Sequence, residues 1–127
     1  YFGSVEAPRL MPEGGRIIVI GSDTADSMPF PGLAAYVLTK AAMQGMARGL
    51  ARDLGSRDIT INVIQPGPTD TDMNPADGPR AAGMLEPMAI KRYGTADEVA
   101  SLTLYLAGPQ ARGITGAIHT IDGGFAA

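Results

Sequence analysis

Two short apolar runs, "RIIVIGS" at residues 16–22 and "DITINVIQPG" at residues 58–67, constrain the fold of this chain most. Both are rich in β-branched residues, and neither alternates strictly between apolar and polar positions. That pattern is typical of strands covered on both faces of a parallel sheet. Glycine or proline ends each run and stops the strand. The sequence therefore predicts a parallel sheet with helices on both sides.

The segments around these runs predict the remaining elements. Residues 33–54 have helical periodicity and end at Gly55, and "GTADEVASLTLYLAG" predicts a further helix. Thr95 and Glu98 fit a capping box at its start. "GAIHTID" predicts a third strand, and residues 68–94 predict a long loop with a short helix in it. We expect the α/β class, with about three parallel strands and flanking helices.

Three strands are fewer than an open doubly wound sheet normally has. The chain also opens at Tyr1 within "YFGSVEAPRLMPEGG", which looks like the tail of a helix, and the first strand would present an unpaired apolar edge. We expect residues 1–127 to be the C-terminal part of a single doubly wound (Rossmann-type) domain whose N-terminal half is absent.

Composition argues against several function classes. The chain has no cysteine and one histidine, so we expect no metal site. A net charge of −3 with scattered arginines argues against a nucleic-acid partner. No apolar run approaches the roughly 18 residues that cross a bilayer, so we expect no membrane partner and a cytoplasmic location.

Tyr36 and Lys40 lie one helical turn apart in a chain with only four tyrosines and two lysines. Residues spaced i, i+4 share a helix face, and an ammonium group near a phenol favours the phenolate. The pair therefore suits proton transfer, although any helix can carry such a pair by chance. Its position is more informative, because the helix follows a buried strand whose C-terminal end is where ligands bind in open α/β sheets.

Ser22 lies at the C-terminal end of that strand. Its hydroxyl can donate a hydrogen bond to a carbonyl oxygen on which charge develops. A serine in this position more often satisfies backbone groups of its own loop. The residue alone leaves both interpretations open.

Four ordered motifs together resemble the C-terminal half of the short-chain dehydrogenase/reductase family: "GRIIVIGS", "AAYVLTKAAMQGMARGLARDL", "ITINVIQPGPTDTDM" and "RYGTADEVASLTLYLAGPQARGITGAIHTIDGGF". The resemblance implies hydride transfer between NADP or NAD and a small carbonyl or alcohol substrate. It implies that Tyr36 is the general acid/base, that Lys40 holds the nicotinamide ribose, and that Ser22 polarises the carbonyl. The remaining coenzyme contacts that it implies are Pro66, Gly67, Pro68, Thr69 and Thr71.

The sequence departs from the family pattern in two respects. Ser22 precedes Tyr36 by fourteen residues, one more than is usual, so that Asp23 stands where the family has its serine. A carboxylate donates no hydrogen bond unless it is protonated, and we therefore keep Ser22. The family's glycine-rich nucleotide turn does not occur in the chain, so residues 1–127 alone are expected to be inactive.

Two further expectations follow from the resemblance. Segments such as "MARGLARDLG" and "QPGPTDTD" are similar to a branch of the family that includes a cyclic-di-GMP-binding regulator. A non-catalytic nucleotide-binding regulator is therefore the alternative function. In helix 33–54, a stripe of Leu38, Ala42, Gly45 and Gly49 must be covered, either by a second copy in a homo-oligomer or by the missing half of the same chain.

Overall fold

A computed structural model describes every residue from Tyr1 to Ala127. Its three strands form one parallel sheet in the order β1-β2-β3. The strands are β1 Arg16–Ile20, β2 Thr60–Pro66 and β3 Ile118–Ile121. Val63 pairs with Val19 on one side and with Ile118 on the other. The predicted parallel sheet is confirmed.

Four helices surround the sheet: α1 Phe2–Leu10, α2 Ala34–Leu54, α3 Ala81–Leu85 and α4 Ala96–Ala107. The long loop predicted after β2 contains α3 as its short helix. The predicted capping box is present at α4, where Thr95 and Glu98 each accept from the other's backbone N–H. None of the helices combines the length and the apolarity that spanning a membrane requires.

The core lies on both faces of the central strand. On one face, Ile61 and Val63 pack against Ala47 of α2, and on the other Ile64 packs against Leu106 of α4. Ile61, Val63 and Ile64 are completely buried, as expected for the apolar residues of a strand covered on both faces. Each such side chain contributes about 2 kcal/mol of burial free energy. The sheet is therefore covered by helices on both sides, as predicted.

Strand β1 is less covered than β2. It forms one edge of the sheet, its residues are half-buried, and Ile20 at its end is 47% exposed. The unpaired apolar edge expected from the sequence is therefore present. Its C-terminal end is open to the cleft side of the molecule, where the first residues of the candidate site follow.

Candidate active site

The end of β1 is shaped by a close approach to β2. The Gly21 N–H donates to the Ile64 carbonyl over 2.7 Å. A β-carbon at position 21 would lie 2.8 Å from Cγ1 of Val63, so a larger residue would push the strands apart. Glycine therefore lets the chain turn directly after the strand, and Ser22 becomes the first residue of the turn.

Tyr36 and Lys40 lie on the same side of α2, in its first two turns. The Lys40 Nζ is 5.6 Å from the centre of the Tyr36 ring and donates to the Ile20 carbonyl over 3.3 Å. Tyr36 is 43% exposed, so its ring is reachable from solvent. The spacing predicted from the sequence thus brings the ammonium to the phenol ring and to the end of β1.

Ser22 is buried and makes three local hydrogen bonds. Its Oγ accepts from the Thr24 N–H over 3.3 Å and from the Thr24 hydroxyl over 2.9 Å. The same hydroxyl donates to Oδ1 of Asp23 over 3.2 Å. Ser22 therefore caps the short 3-10 turn at Asp23–Ala25 while it faces the cleft described below.

Asp23 is a buried carboxyl group, with only 3% of its surface exposed. Its Oδ2 is buried and has no hydrogen-bond partner. Burial raises the pKa of Asp23 from 3.8 to about 6, the Ser22 hydrogen bond opposes this, and the nearby Asp122 adds to the rise. An unpaired buried oxygen is an unusual liability, which makes this group a candidate for chemistry.

A polar cluster fixes the loop that carries Ser22 and Asp23. Gln65, completely buried at the end of β2, donates to Oδ2 of Asp26 over 2.6 Å. Gln44 of α2 donates to Oδ1 of Asp26 over 2.7 Å and to Oε1 of Gln65 over 2.8 Å. The cluster ties the loop to both a strand and a helix, and it holds the turn against the sheet.

The end of β2 forms a backbone wall. The Gly67 N–H donates to the Ile121 carbonyl, and a β-carbon at position 67 would lie only 2.6 Å from Cα of Asp122. Glycine is therefore required by the approach of the segment after β3. Pro68 follows and accepts from the Gly94 N–H over 2.9 Å. A flat ligand can approach such a wall closely because no side chain projects from it.

The two threonines beyond this wall are engaged within the loop. The Thr69 hydroxyl donates to the Gly67 carbonyl over 3.0 Å. The Thr71 hydroxyl accepts from the Asn74 N–H over 3.3 Å and stabilises a turn. Their expected coenzyme contacts therefore stay predictions.

An open cleft of about 280 Å³ brings the expected side chains together. Ser22, Tyr36, Gly67 and Pro68 line it, whereas Lys40, Pro66, Thr69 and Thr71 lie outside its lining. The cleft also holds Asp23, Arg80 and a largely apolar set made of Met28, Phe30, Leu33, Met73, Met84 and Phe125. A few polar groups among thioether and aromatic side chains are typical of a pocket for a small organic ligand.

A second charged cluster lies at the start of α4. Arg92 binds Glu98 through two hydrogen bonds, of 2.6 Å to Oε1 and 3.0 Å to Oε2. Glu98 also accepts from the Thr95 N–H over 2.8 Å. These hydrogen bonds, led by the one from Arg92, lower the pKa of Glu98 to about 2, and the Glu98 hydrogen bond raises the pKa of Arg92. Both carboxylate oxygens of Glu98 are therefore satisfied.

The parallel sheet with helices on both faces, and the cleft at the carboxyl ends of its strands, define the class of doubly wound α/β proteins. A family model described as Enoyl-(Acyl carrier protein) reductase matches residues 1–126. The chain belongs to the short-chain dehydrogenase/reductase family.

Individual relatives agree with this membership. The chain is 61% identical over its whole length to the cyclic-di-GMP-binding biofilm dispersal mediator protein of Escherichia coli (strain K12), and it covers 54% of that protein. A short-chain dehydrogenase/reductase from Serratia marcescens BCRC 10948 superimposes with a TM-score of 0.96 at 55% identity, over 98% of this chain and 51% of that one. The crystal structure of BdcA in complex with NADPH gives 0.93 at 63% identity, over 98% and 51%. The chain thus spans about half the length of these relatives.

Sequence reasoning missed the polar surroundings of Ser22. Asp23 was noted only as a misplaced residue, and neither its burial nor its unpaired oxygen was foreseen. The one available signal for the cluster around Asp26 was Gln65, a polar residue near the end of a strand predicted to be buried on both faces. Such a residue in a buried strand must find partners, which the sequence does not name.

Proposed function

We propose that the protein is an oxidoreductase that transfers a hydride between a nicotinamide coenzyme and a carbonyl or alcohol substrate, with Tyr36 as the general acid/base. The observation that carries this proposal is the shared cleft of Ser22 and Tyr36, with Lys40 beside the Tyr36 ring. Because the chain spans about half of its relatives, the activity is proposed for the full-length protein, meaning this chain with a nucleotide-binding half before it.

The roles of the three polar residues follow from their positions. During carbonyl reduction, the Tyr36 O–H bond breaks and its proton goes to the substrate oxygen as the hydride reaches the carbon. Lys40, at 5.6 Å from the ring centre, stabilises the phenolate that remains. Ser22 donates to the same substrate oxygen while negative charge grows there. Oxidation of an alcohol reverses each step.

A side chain at position 67 would clash with Asp122, so glycine is fixed there and projects no side chain into the cleft. The wall at Gly67 and Pro68 therefore fits the flat ring of a nicotinamide. Bound there, the coenzyme would supply or accept the hydride. Pro66, Thr69, Thr71 and Lys40 are the remaining residues that we propose to hold it. We propose NADP(H) before NAD(H), because the 63% identical BdcA was solved with NADPH.

Replacing Tyr36 tests this function directly. In the full-length protein, Tyr36→Phe should lower kcat by roughly 10²- to 10⁴-fold and leave the Kd for NADPH nearly unchanged. The matched control is Tyr105→Phe, an equally exposed tyrosine on α4, which should keep full activity. Turnover by the Tyr36→Phe variant at the level of this control would contradict the assignment.

The alternative is a non-catalytic regulator that binds cyclic-di-GMP. It is favoured by the name of the 61% identical relative, a cyclic-di-GMP-binding biofilm dispersal mediator. Calorimetry of the full-length protein with cyclic-di-GMP and with NADPH, combined with a screen of carbonyl substrates, separates the two functions. Tight cyclic-di-GMP binding without any turnover favours the regulator.

We also propose that residues 1–127 form the C-terminal part of one Rossmann-type domain in a cytoplasmic homo-oligomer. The stripe on α2 supports an oligomer. Leu38 is 71% exposed, and a β-carbon at position 45 or 49 would have no neighbouring atom within 4 Å. A second copy would cover these residues. Light scattering on the full-length protein should give the mass of more than one copy, and Leu38→Arg should give the mass of a monomer.

A further inference from the structure

The hydroxyl of Ser22 is already occupied in this structure. It has one proton to donate, and that proton is directed to Oδ1 of Asp23 over 3.2 Å. Its lone pairs accept from the N–H and the hydroxyl of Thr24. While Asp23 is ionised, Ser22 therefore has no proton left for a substrate oxygen in the cleft.

The surroundings of Asp23 favour its neutral form. The side chain is 3% exposed, and its Oδ2 is buried without a hydrogen-bond partner. The charge of Asp122, from the segment after β3, repels a second negative charge at Asp23. Arg80 and Tyr36 are the other ionisable groups that line the same cleft. Burial is the largest cause, and the pKa of Asp23 rises to about 6.

A neutral Asp23 changes the direction of the hydrogen bond. The carboxylic acid carries its own proton, which it can donate to Oγ of Ser22. Oγ then accepts from Asp23 and from the Thr24 N–H, the Thr24 hydroxyl turns away, and the proton of Ser22 is free to point into the cleft. The two arrangements differ by one proton taken up by Asp23 from solvent and by the direction in which the Ser22 hydroxyl donates.

We propose that Asp23 is a positioning residue whose protonation state decides whether the Ser22 hydroxyl donates to the substrate oxygen or to Asp23. The proposal rests on the function proposed above. Asp23 lines the cleft beside Ser22, but its Oδ2 is buried and its Oδ1 is bound to the Ser22 hydroxyl, so it acts through Ser22. Carbonyl reduction is accordingly supported by neutral Asp23 and slowed once Asp23 is ionised.

The first test is the pH dependence of kcat for carbonyl reduction by the full-length protein. From pH 5.5 to pH 7.5, kcat of the natural sequence should fall roughly twentyfold, because the neutral fraction of a group with a pKa of about 6 falls by about that factor and the loss of one oxyanion donor costs about 10²-fold or more. Asp23→Asn, whose amide donates to Ser22 at every pH, should fall less than about twofold and exceed the natural sequence at pH 7.5. KM should change little in either case.

The matched control is Asp77→Asn, an exposed carboxylate in the loop before α3, which should keep the natural pH profile. Equal profiles for Asp23→Asn and the natural sequence, with Tyr36→Phe inactive, would overturn this proposal and leave the proposed function standing. Full activity of Tyr36→Phe, or no turnover by the natural sequence, would overturn both this proposal and the proposed function.

The second test does not depend on turnover. The carboxyl carbon of Asp23 is followed by NMR across pH 4 to 8 in the full-length protein and in its Ser22→Ala variant. The Ser22 hydrogen bond lowers the pKa of Asp23, so its removal should move the titration midpoint upward. The same midpoint in both proteins would overturn the proposal, because the Ser22 hydroxyl would then not be hydrogen-bonded to Asp23.

Discussion

Two carboxyl groups of this protein, Asp23 after β1 and Glu98 at the start of α4, have opposite environments. Asp23 is 3% exposed and has one unpaired oxygen, and its pKa rises to about 6. Glu98 is partly exposed and binds Arg92 and Thr95 through both oxygens, and its pKa falls to about 2. At pH 7, Glu98 is therefore fully ionised, whereas the pKa of Asp23 lies within about one unit of that pH.

The difference separates a group kept for chemistry from a group kept for stability. A satisfied carboxylate at a helix start stabilises the fold through its hydrogen bonds and the helix dipole. A buried carboxyl group with an unpaired oxygen destabilises the fold unless it is neutral. Proteins tolerate that second situation mainly at functional sites, and Asp23 lines the cleft beside Ser22.

The largest expected effect concerns the stability of Asp23→Asn. Because the folded pKa of Asp23 lies above its ordinary value of 3.8, its contribution is fully favourable below pH 4 and is lost as the pH rises through about 6. At pH 8 the variant should gain about 2 kcal/mol in the free energy of unfolding, after a discount for solvent screening. Urea unfolding at pH 8 and pH 4 measures this, and an equal gain at both pH values would contradict it.

The next effect concerns the cluster that holds the loop of Asp23 in place. Gln65→Leu removes a buried amide that binds Asp26 and Gln44 and should lower the free energy of unfolding by about 1.5 kcal/mol. A double-mutant cycle with Gln44→Leu should show that the two losses are less than additive. Additive losses, measured by urea unfolding, would mean that the cluster does not act as a unit.

A smaller loss is expected at the other region. Thr95→Ala removes the side-chain cap of α4 and should lower the free energy of unfolding by about 1 kcal/mol. Thr95→Ser keeps a hydroxyl at the same place and serves as the control, with little change expected. Thermal unfolding of both variants at pH 7 is sufficient, and equal losses would exclude the capping hydrogen bond as the cause.

The smallest effect is the acid dependence of Glu98. Its lowered pKa means that its contribution is present above its ordinary value of 4.5 and is lost as the pH falls from there toward about 2. Glu98→Gln should therefore lower the Tm at pH 7 slightly and have less effect at pH 3. Glu86→Gln, an exposed glutamate outside this cluster, is the control. A loss that is larger at pH 3 than at pH 7 would reverse the comparison.

Most of the backbone was predictable, because its signals are local. The β-branched run of β2, the capping residues Thr95 and Glu98, and the periodicity of α2 each act within a few residues. The spacing of Tyr36 and Lys40 was predictable for the same reason, since a helix fixes which side chains share a face.

The environment of Asp23 was not predictable from the sequence. It depends on segments far away in the chain: the charge of Asp122 acts on Asp23, and Phe125 lines the same cleft. The partners of Gln65 depend equally on tertiary packing, because Asp26 and Gln44 come from two other segments. The environments of Asp23 and Gln65 therefore follow only from the three-dimensional structure, whereas the proximity of Tyr36 and Lys40 follows from their spacing in the sequence.

The tight approach of Gly67 to Asp122 has a consequence for protein engineering. Any other amino acid at position 67 requires the segments that follow β2 and β3 to move apart, so libraries that randomise it should contain few well-folded variants. Met73 and Met84, which line the same cleft, are unbranched and adaptable. Directed evolution of new substrate ranges should accordingly sample these two methionines and spare the glycine.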